Sequence, residues 1–495
     1  MKKILFSLLL LFLIRPTHGS LNTIYAASSA NSSMGNTAIY SKNKLPDAKN
    51  TAFRFNMNST VLSQKQEYQA IQGLLQSFYQ NDTVADDPVV QRYLEKLVGK
   101  LAKNTELNDK NIIVLLIKNP TLNAFAFYGA IVGIYTGLIY HLDSEEQLAA
   151  VLAHELVHIN QKHIDQSIAD AQNISLSAIA GILGALLLKN ANLAAAATSS
   201  IIGGASSHFL SFSRQHEEEA DRIGIKLMHS SHINPHGMAV FLKQMKRFES
   251  QNQAPELLRT HPLTAHRLVE AESLASQYPN KDYPKSTIDF DLIKMHILFD
   301  YLPPLENPVT YLQGYIKSRA ISSEAASYGM AMAYYKNNQY EQAAKALAPL
   351  LKAASDKVIY QLLYNQIIYH MGKKQEALKN MQQLTDNDPD YFPASVLYAK
   401  LLSQSKAYKE SQSVLKRITA KQPQYPFIWK LLAEASSKIN DSGMYFIATA
   451  HYLRLTGETD RAISQLDYVL NNKRITYSKK LMIQQFLATL LEEKG

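Results

Sequence analysis

The sequence predicts a mainly helical protein in two parts, an α+β domain with a small sheet followed by an α-solenoid. Three observations carry this prediction. Apolar residues recur at three- and four-residue spacing from about Val61 onward, two short β-branched runs interrupt that pattern between Asn111 and Ile139, and the C-terminal third repeats one frame every 34 residues. At 495 residues, 46% hydrophobic and 19% charged, the chain is too long for one core, and its composition excludes collagen-like and wholly disordered readings. It contains no cysteine, so disulfides, iron–sulfur clusters, thiolate-ligated zinc and a cysteine nucleophile are all ruled out. Any metal must be held by His, Asp or Glu. The formal charge of +9 comes without a block of like charges, which argues for solubility and against nucleic-acid binding.

Residues 1–27 read as a signal peptide. Lys2 and Lys3 precede an apolar run from Ile4 to Ile14, about eleven residues and short of a bilayer span. Small residues offer cleavage points near Gly19 and near Ala27. Residues 28–60, rich in Ser, Asn and Ala, are expected to form a flexible linker. Two helices follow, Gln64–Tyr79 and Pro88–Lys103. Asn111–Ile117 and Ala130–Ile139 read as strands. Asp143 or Ser144 then caps a helix whose first turn carries Glu145 and Glu146.

In the C-terminal third, Ala343, Ala377 and Ser411 lie 34 residues apart inside the frames YEQAAKAL, KQEALKNM and YKESQSVL. Ala331, Asn365 and Ala399 share a second phase, as do the bulky Met330, Tyr364 and Tyr398. The pattern resembles the tetratricopeptide repeat, in which a small residue on one helix admits the bulk of the next. The phase breaks after Tyr425, and a later unit, GETDRAISQLDYVL, carries Ala462 in the small position 51 residues after Ser411. Residues 320–495 are therefore expected to be repeats, with 276–319 connecting them to the first domain.

The motif His154-Glu155-Leu156-Val157-His158 is the strongest chemical signal. Histidines four apart on a helix stand one turn apart, about 40° around the axis, so both imidazoles can face one ion. Zinc held by two His and a carboxylate keeps a position open for water and lowers its pKa toward about 7; Glu155 stands beside that position as a base. Ala149, Val151, Leu152, Val157 and Ile159 mark a core helix rather than a surface one. A third ligand is needed. Ile164 occupies the place a third histidine would take in one common spacing, and His163, one residue off, is expected to be a solvated helix-end histidine. Glu217 is the better candidate, with Asp221 on the same helical face: one carboxylate can bind the metal while the other orients a ligand imidazole. A solvated acidic face is the alternative.

The pattern His154/Glu155/His158 followed by Glu217/Asp221 resembles the M48 metallopeptidases, zinc endopeptidases of the gluzincin type. Local matches flank it: Asn123-Ala124-Phe125-Ala126, Gly133 through Ile139, and Thr260-His261-Pro262-Leu263-Thr264-Ala265-His266-Arg267. The resemblance implies an M48-like domain over 61–275, one zinc per chain on His154, His158 and Glu217, and catalysis by Glu155 with Asp221. His261 matches a histidine that relatives carry in a loop after the ligand helix. Held extended by Pro262, it either plugs the zinc at rest or buttresses the loop with Arg267. Arg267 in turn either aids the oxyanion or pairs with a carboxylate. Substrate is expected as an added strand, with Ala130–Ile139 the candidate edge. Ile174–Gly204, apolar and rich in Ala and Gly, reads as core or lid helices rather than a membrane span.

With a leader before it and repeats behind, the architecture resembles periplasmic members of that family. The resemblance implies cleavage of unfolded or misassembled outer-membrane proteins, docking to the outer-membrane assembly machinery through the repeats with chaperone-like action, and peripheral membrane contact at most. Two readings compete with it: a chaperone or scaffold in which proteolysis is auxiliary, and a membrane-embedded processing protease.

Overall fold

The computed structural model describes residues 59, 61–107, 112–170, 212–251, 254–280, 283, 288–302, 305–318, 321–471 and 475–494. The expected leader, all but one residue of the expected linker, and the segment Ile174–Gly204 lie outside the described residues. In chain order the elements are α1 (Gln64–Gln80), α2 (Pro88–Ala102), β1 (Ile113–Ile117), β2 (Ala124–Phe127), β3 (Ile131–Tyr135), α3 (Thr136–His141), α4 (Glu145–Asn160), α5 (His163–Asp170), α6 (Arg214–Ser230), α7 (His236–Ser250), α8 (Leu257–Thr260) and α9 (Ala265–Ser276). Then come α10 (Ile288–Asp300), α11 (Pro308–Ser318), α12 (Ser323–Lys336), α13 (Tyr340–Ala353), α14 (Val358–His370), α15 (Lys374–Asn387), α16 (Phe392–Gln404), α17 (Tyr408–Lys421), α18 (Pro426–Lys438), α19 (Ser442–Leu455), α20 (Thr459–Leu470) and α21 (Tyr477–Lys494).

Helix starts follow local chemistry. Ser63 and Gln66 form a capping box at α1, Asp87 accepts from the amides of Val89 and Val90 ahead of α2, and Ser144 pairs with Gln147 in a second capping box at α4. The three-stranded sheet has the order β1-β3-β2, with β1 parallel and β2 antiparallel to β3. Side chains alternate strictly. Val114, Leu116, Val132 and Ile134 face the core shared with α2 and α4, whereas Leu115, Ile117, Phe125, Phe127, Ile131 and Tyr135 face α1. Gly133 lets the Phe125 ring lie across the strand, since a Cβ there would sit 2.0 Å from it.

Two strand expectations need correction. Ala130–Ile139 is not one strand: β3 ends at Tyr135 and Thr136–His141 is helical. A buried apolar run reads alike in either state, and here the Thr136 hydroxyl donates to Asn119 O at 2.9 Å as the chain turns. Nor is it an edge, because β1 and β2 pair with its two sides. The edge beside α4 is β2, a four-residue strand that no pattern in the sequence announces.

From α12 onward, each helix packs on the next. Ala343, Ala377 and Ser411, all buried, sit on α13, α15 and α17, but Ala462 lies on α20, three helices on instead of two. The signature shifts by one helix while the array continues unbroken. Among the described residues, no helix is long and apolar enough to cross a membrane.

The array folds back onto α1 and α2. The Thr459 hydroxyl donates to Gln72 Oε1 at 2.9 Å and accepts from the Tyr68 hydroxyl at 3.1 Å, and the Tyr425 hydroxyl donates to Glu95. His296 on α10 lies between Asp87 (3.3 Å) and the Tyr328 hydroxyl (2.9 Å). Gly457, at φ +82°, approaches so closely that a Cβ would lie 2.2 Å from Gln72 O. Gly457→Ala combines left-handed strain with a backbone clash, so it is expected to lower stability by about 2 kcal/mol, read as a lower Tm with earlier tryptic release of the C-terminal helices.

Candidate metal centre

The central helix α4 is buried on all sides from Gln147 to Ile159, which places His154, Glu155 and His158 in a dry environment. Helix α6 packs along it and brings Glu217 and Asp221, while His261 follows α8 at φ −122°, ψ 78°, outside the helical region that the following Pro262 disfavours. Four donors converge. His154 Nε2 lies 3.0 Å from His158 Nε2, 3.2 Å from His261 Nδ1 and 3.4 Å from Glu217 Oε2. His158 Nε2 lies 3.4 Å, and His261 Nδ1 2.9 Å, from Glu217 Oε1. Donors about 2.0–2.1 Å from a tetrahedral zinc stand about 3.3 Å apart, so this spacing fits that ion.

Behind the donors, His154 Nδ1 lies 2.9 Å from Asp221 Oδ1. Arg267 reaches Asp221 through Nε (2.6 Å) and Nη2 (2.9 Å), and through Nη1 both Glu217 Oε2 (2.5 Å) and Pro262 O (2.8 Å). Its donors are thus directed at two carboxylates and the loop carbonyl. Glu155 is fully buried, and neither carboxylate oxygen has a hydrogen-bond partner, although His261 Nε2 stands 3.4 Å from Oε1.

His163 is not solvated but 1% exposed, with Nδ1 3.0 Å from His158 Nδ1. Solvation there would require the helix to run on. Instead α4 stops at Asn160, Lys162 adopts φ +56°, and α5 starts at His163, turning its ring back toward the motif. Phe212, a residue that motif reasoning passes over, stacks on His158 at 3.8 Å between ring centres.

Electrostatics follow from burial and from the two carboxylates. Burial opposes charge on His154, but Glu217 and Asp221 outweigh it and push its pKa up to about 10. Burial drives His158 well below its ordinary value. Glu217 sits well below the carboxylate range because His261 and His154 overcome its desolvation, and burial raises Glu155 despite the same two histidines. Metal-free His154 therefore carries a proton at neutral pH that an ion must displace. Zinc binding near pH 7 is expected to release a proton, and apparent affinity to rise with pH until His154 deprotonates near pH 10. Titration calorimetry in buffers of different ionisation enthalpy reads this directly; a binding enthalpy independent of buffer would contradict it.

Buried imidazoles and a carboxylate around one point, beside a second buried carboxylate, define a metal-dependent hydrolase site. Comparison with known proteins agrees: the peptidase family M48 model matches residues 88–275, and a tetratricopeptide repeat model matches 369–435. The beta-barrel assembly-enhancing protease of Escherichia coli K12 is 32% identical over 435 residues, 86% of this chain and 87% of that protein. Its Yersinia pestis namesake is 31% identical over 388 residues, 77% of this chain and 79% of that protein. The mitochondrial metalloendopeptidase OMA1 of Schizosaccharomyces pombe is 29% identical over 188 residues, 36% of this chain and 51% of that protein. The chain is a zinc metalloendopeptidase. It belongs to peptidase family M48, here joined to tetratricopeptide repeats.

Proposed function

We propose that the protein is a periplasmic endopeptidase that cleaves unfolded or misassembled outer-membrane β-barrel proteins, with its repeats docking it to substrates or to the assembly machinery. The convergence of His154, His158 and Glu217 on one point, with Glu155 beside it, is the observation that carries the proposal. The names of the relatives support the substrate class, and their coverage of most of the chain supports transferring it. In this reading the peptidase part spans 61–275 and the repeats 320–495, behind a leader of 1–27.

His154, His158 and Glu217 would hold one zinc, which would supply a Lewis acid for the attacking water and the scissile carbonyl. Glu155 takes the proton from the attacking water and hands it to the leaving amine nitrogen. Asp221 accepts from His154 Nδ1–H and fixes that ring, and Arg267 holds Asp221 and Glu217 in register. An extended peptide pairs with the β2 edge; such pairing demands an unfolded segment and so spares folded proteins. His261, whose Nδ1 lies beside the His154 and Glu217 donors, would join them in holding the ion at rest and withdraw for substrate.

Metal analysis of Glu217→Ala tests the ligand set, with loss of bound zinc and of casein cleavage expected. His261→Ala is expected to cleave casein several-fold faster with zinc retained, and an unchanged rate removes the plug. Release of the protein by osmotic shock without detergent checks the compartment.

A further inference from the structure

The two histidines of the motif are supported differently from behind. His154 Nδ1 meets a carboxylate that a guanidinium clamps, whereas His158 Nδ1 meets a second imidazole, His163 Nδ1, at 3.0 Å. The tautomers of this pair are fixed by exclusion. If His158 is to offer its Nε2 lone pair to the ion, its proton must sit on Nδ1, and an N–H there needs an acceptor. His163 Nδ1 is the atom in reach, so it must be unprotonated, which puts the His163 proton on Nε2. That nitrogen is buried and has no hydrogen-bond partner, but it faces Glu219 Oε2 at 3.5 Å. The opposite arrangement would place the His158 proton on Nε2, pointing into the donor cluster. The rings support the same picture: His158 and His163 stand edge to face at 75°, Phe212 covers His158, and His216 stacks on His163 at 4.3 Å.

We propose that His163 is the positioning residue for His158, a neutral imidazole that accepts the His158 Nδ1–H bond and passes its own N–H toward Glu219. The inference deepens the proposed metal site and rests on His158 being a ligand. It gives His158 an uncharged support where His154 has an anionic one, so His163 sets ring orientation and tautomer without adding negative charge near the ion.

The test uses the full-length protein with zinc. In zinc-loaded wild type carrying ¹⁵N-histidine, His158 Nδ1 is expected to appear as a protonated nitrogen and His163 Nδ1 as an unprotonated one; a protonated His163 Nδ1 overturns the proposal. Chelator competition then compares two variants. His163→Leu keeps bulk without an acceptor and is expected to weaken zinc about 10- to 100-fold. His163→Asn puts Oδ1 where Nδ1 stands and is expected to recover most of that loss. Equal losses in both variants, or no loss in His163→Leu, also overturn it. Should His163→Leu fail to fold, the wild-type spectrum decides alone. Wild type that binds no zinc would instead sink the metal-site reading, a distinguishable failure.

Discussion

Glu155→Gln is expected to lower casein cleavage by about 10²- to 10⁴-fold while zinc content stays at the wild-type level. The substitution changes almost nothing in shape. It removes only the ability to take a proton, and the surroundings of Glu155 suit it to proton transfer. The side chain is fully buried, faces His261 Nε2 at 3.4 Å, and desolvation raises its pKa. A base whose pKa is moved toward the working pH both accepts and returns a proton readily. The same variant separates the competing functions. If it restores outer-membrane assembly to a deletion strain as well as wild type does, the repeats carry the physiological role and proteolysis is auxiliary.

Arg267→Met is expected to destabilise the metal-free protein by about 3 kcal/mol, because it leaves two buried carboxylates with protonated His154 as the cation between them and removes their clamp. Arg267 is 4% exposed and makes three contacts to Asp221 and Glu217 within 2.9 Å, while Glu217 itself is inaccessible to water. Zinc should return part of this stability, since the ion replaces the lost positive charge beside Glu217 but not beside Asp221. Thermal unfolding with and without zinc measures both parts. A Tm deficit of the same size in both states would show that Arg267 acts through packing alone.

What is legible in the sequence divides along the range of the interactions involved. Caps and first turns are local, and Ser63, Asp87 and Ser144 start helices within a residue of where the pattern puts them. Glu217 and Asp221 are visible as a pair because four-residue spacing on one helix is also local. The partners of Arg267 are not, since they depend on how α9 packs against α6. β2 escapes notice because AFAF is too short to show a period, and its strand character comes from pairing with β3. His163 misleads because the helix break before it hangs on one positive φ at Lys162, a residue whose type gives no hint of it. The Ala462 phase shift is legible, but the single-helix step behind it needs the three-dimensional array.

The same α1 helix that meets Gly457 and Thr459 with Tyr68 and Gln72 lays Ile71, Leu74 and Phe78 beneath the strands. The far repeats and the sheet beside the metal centre therefore lean on one shared strut, so a displacement of the C-terminal helices is felt at the strands through α1.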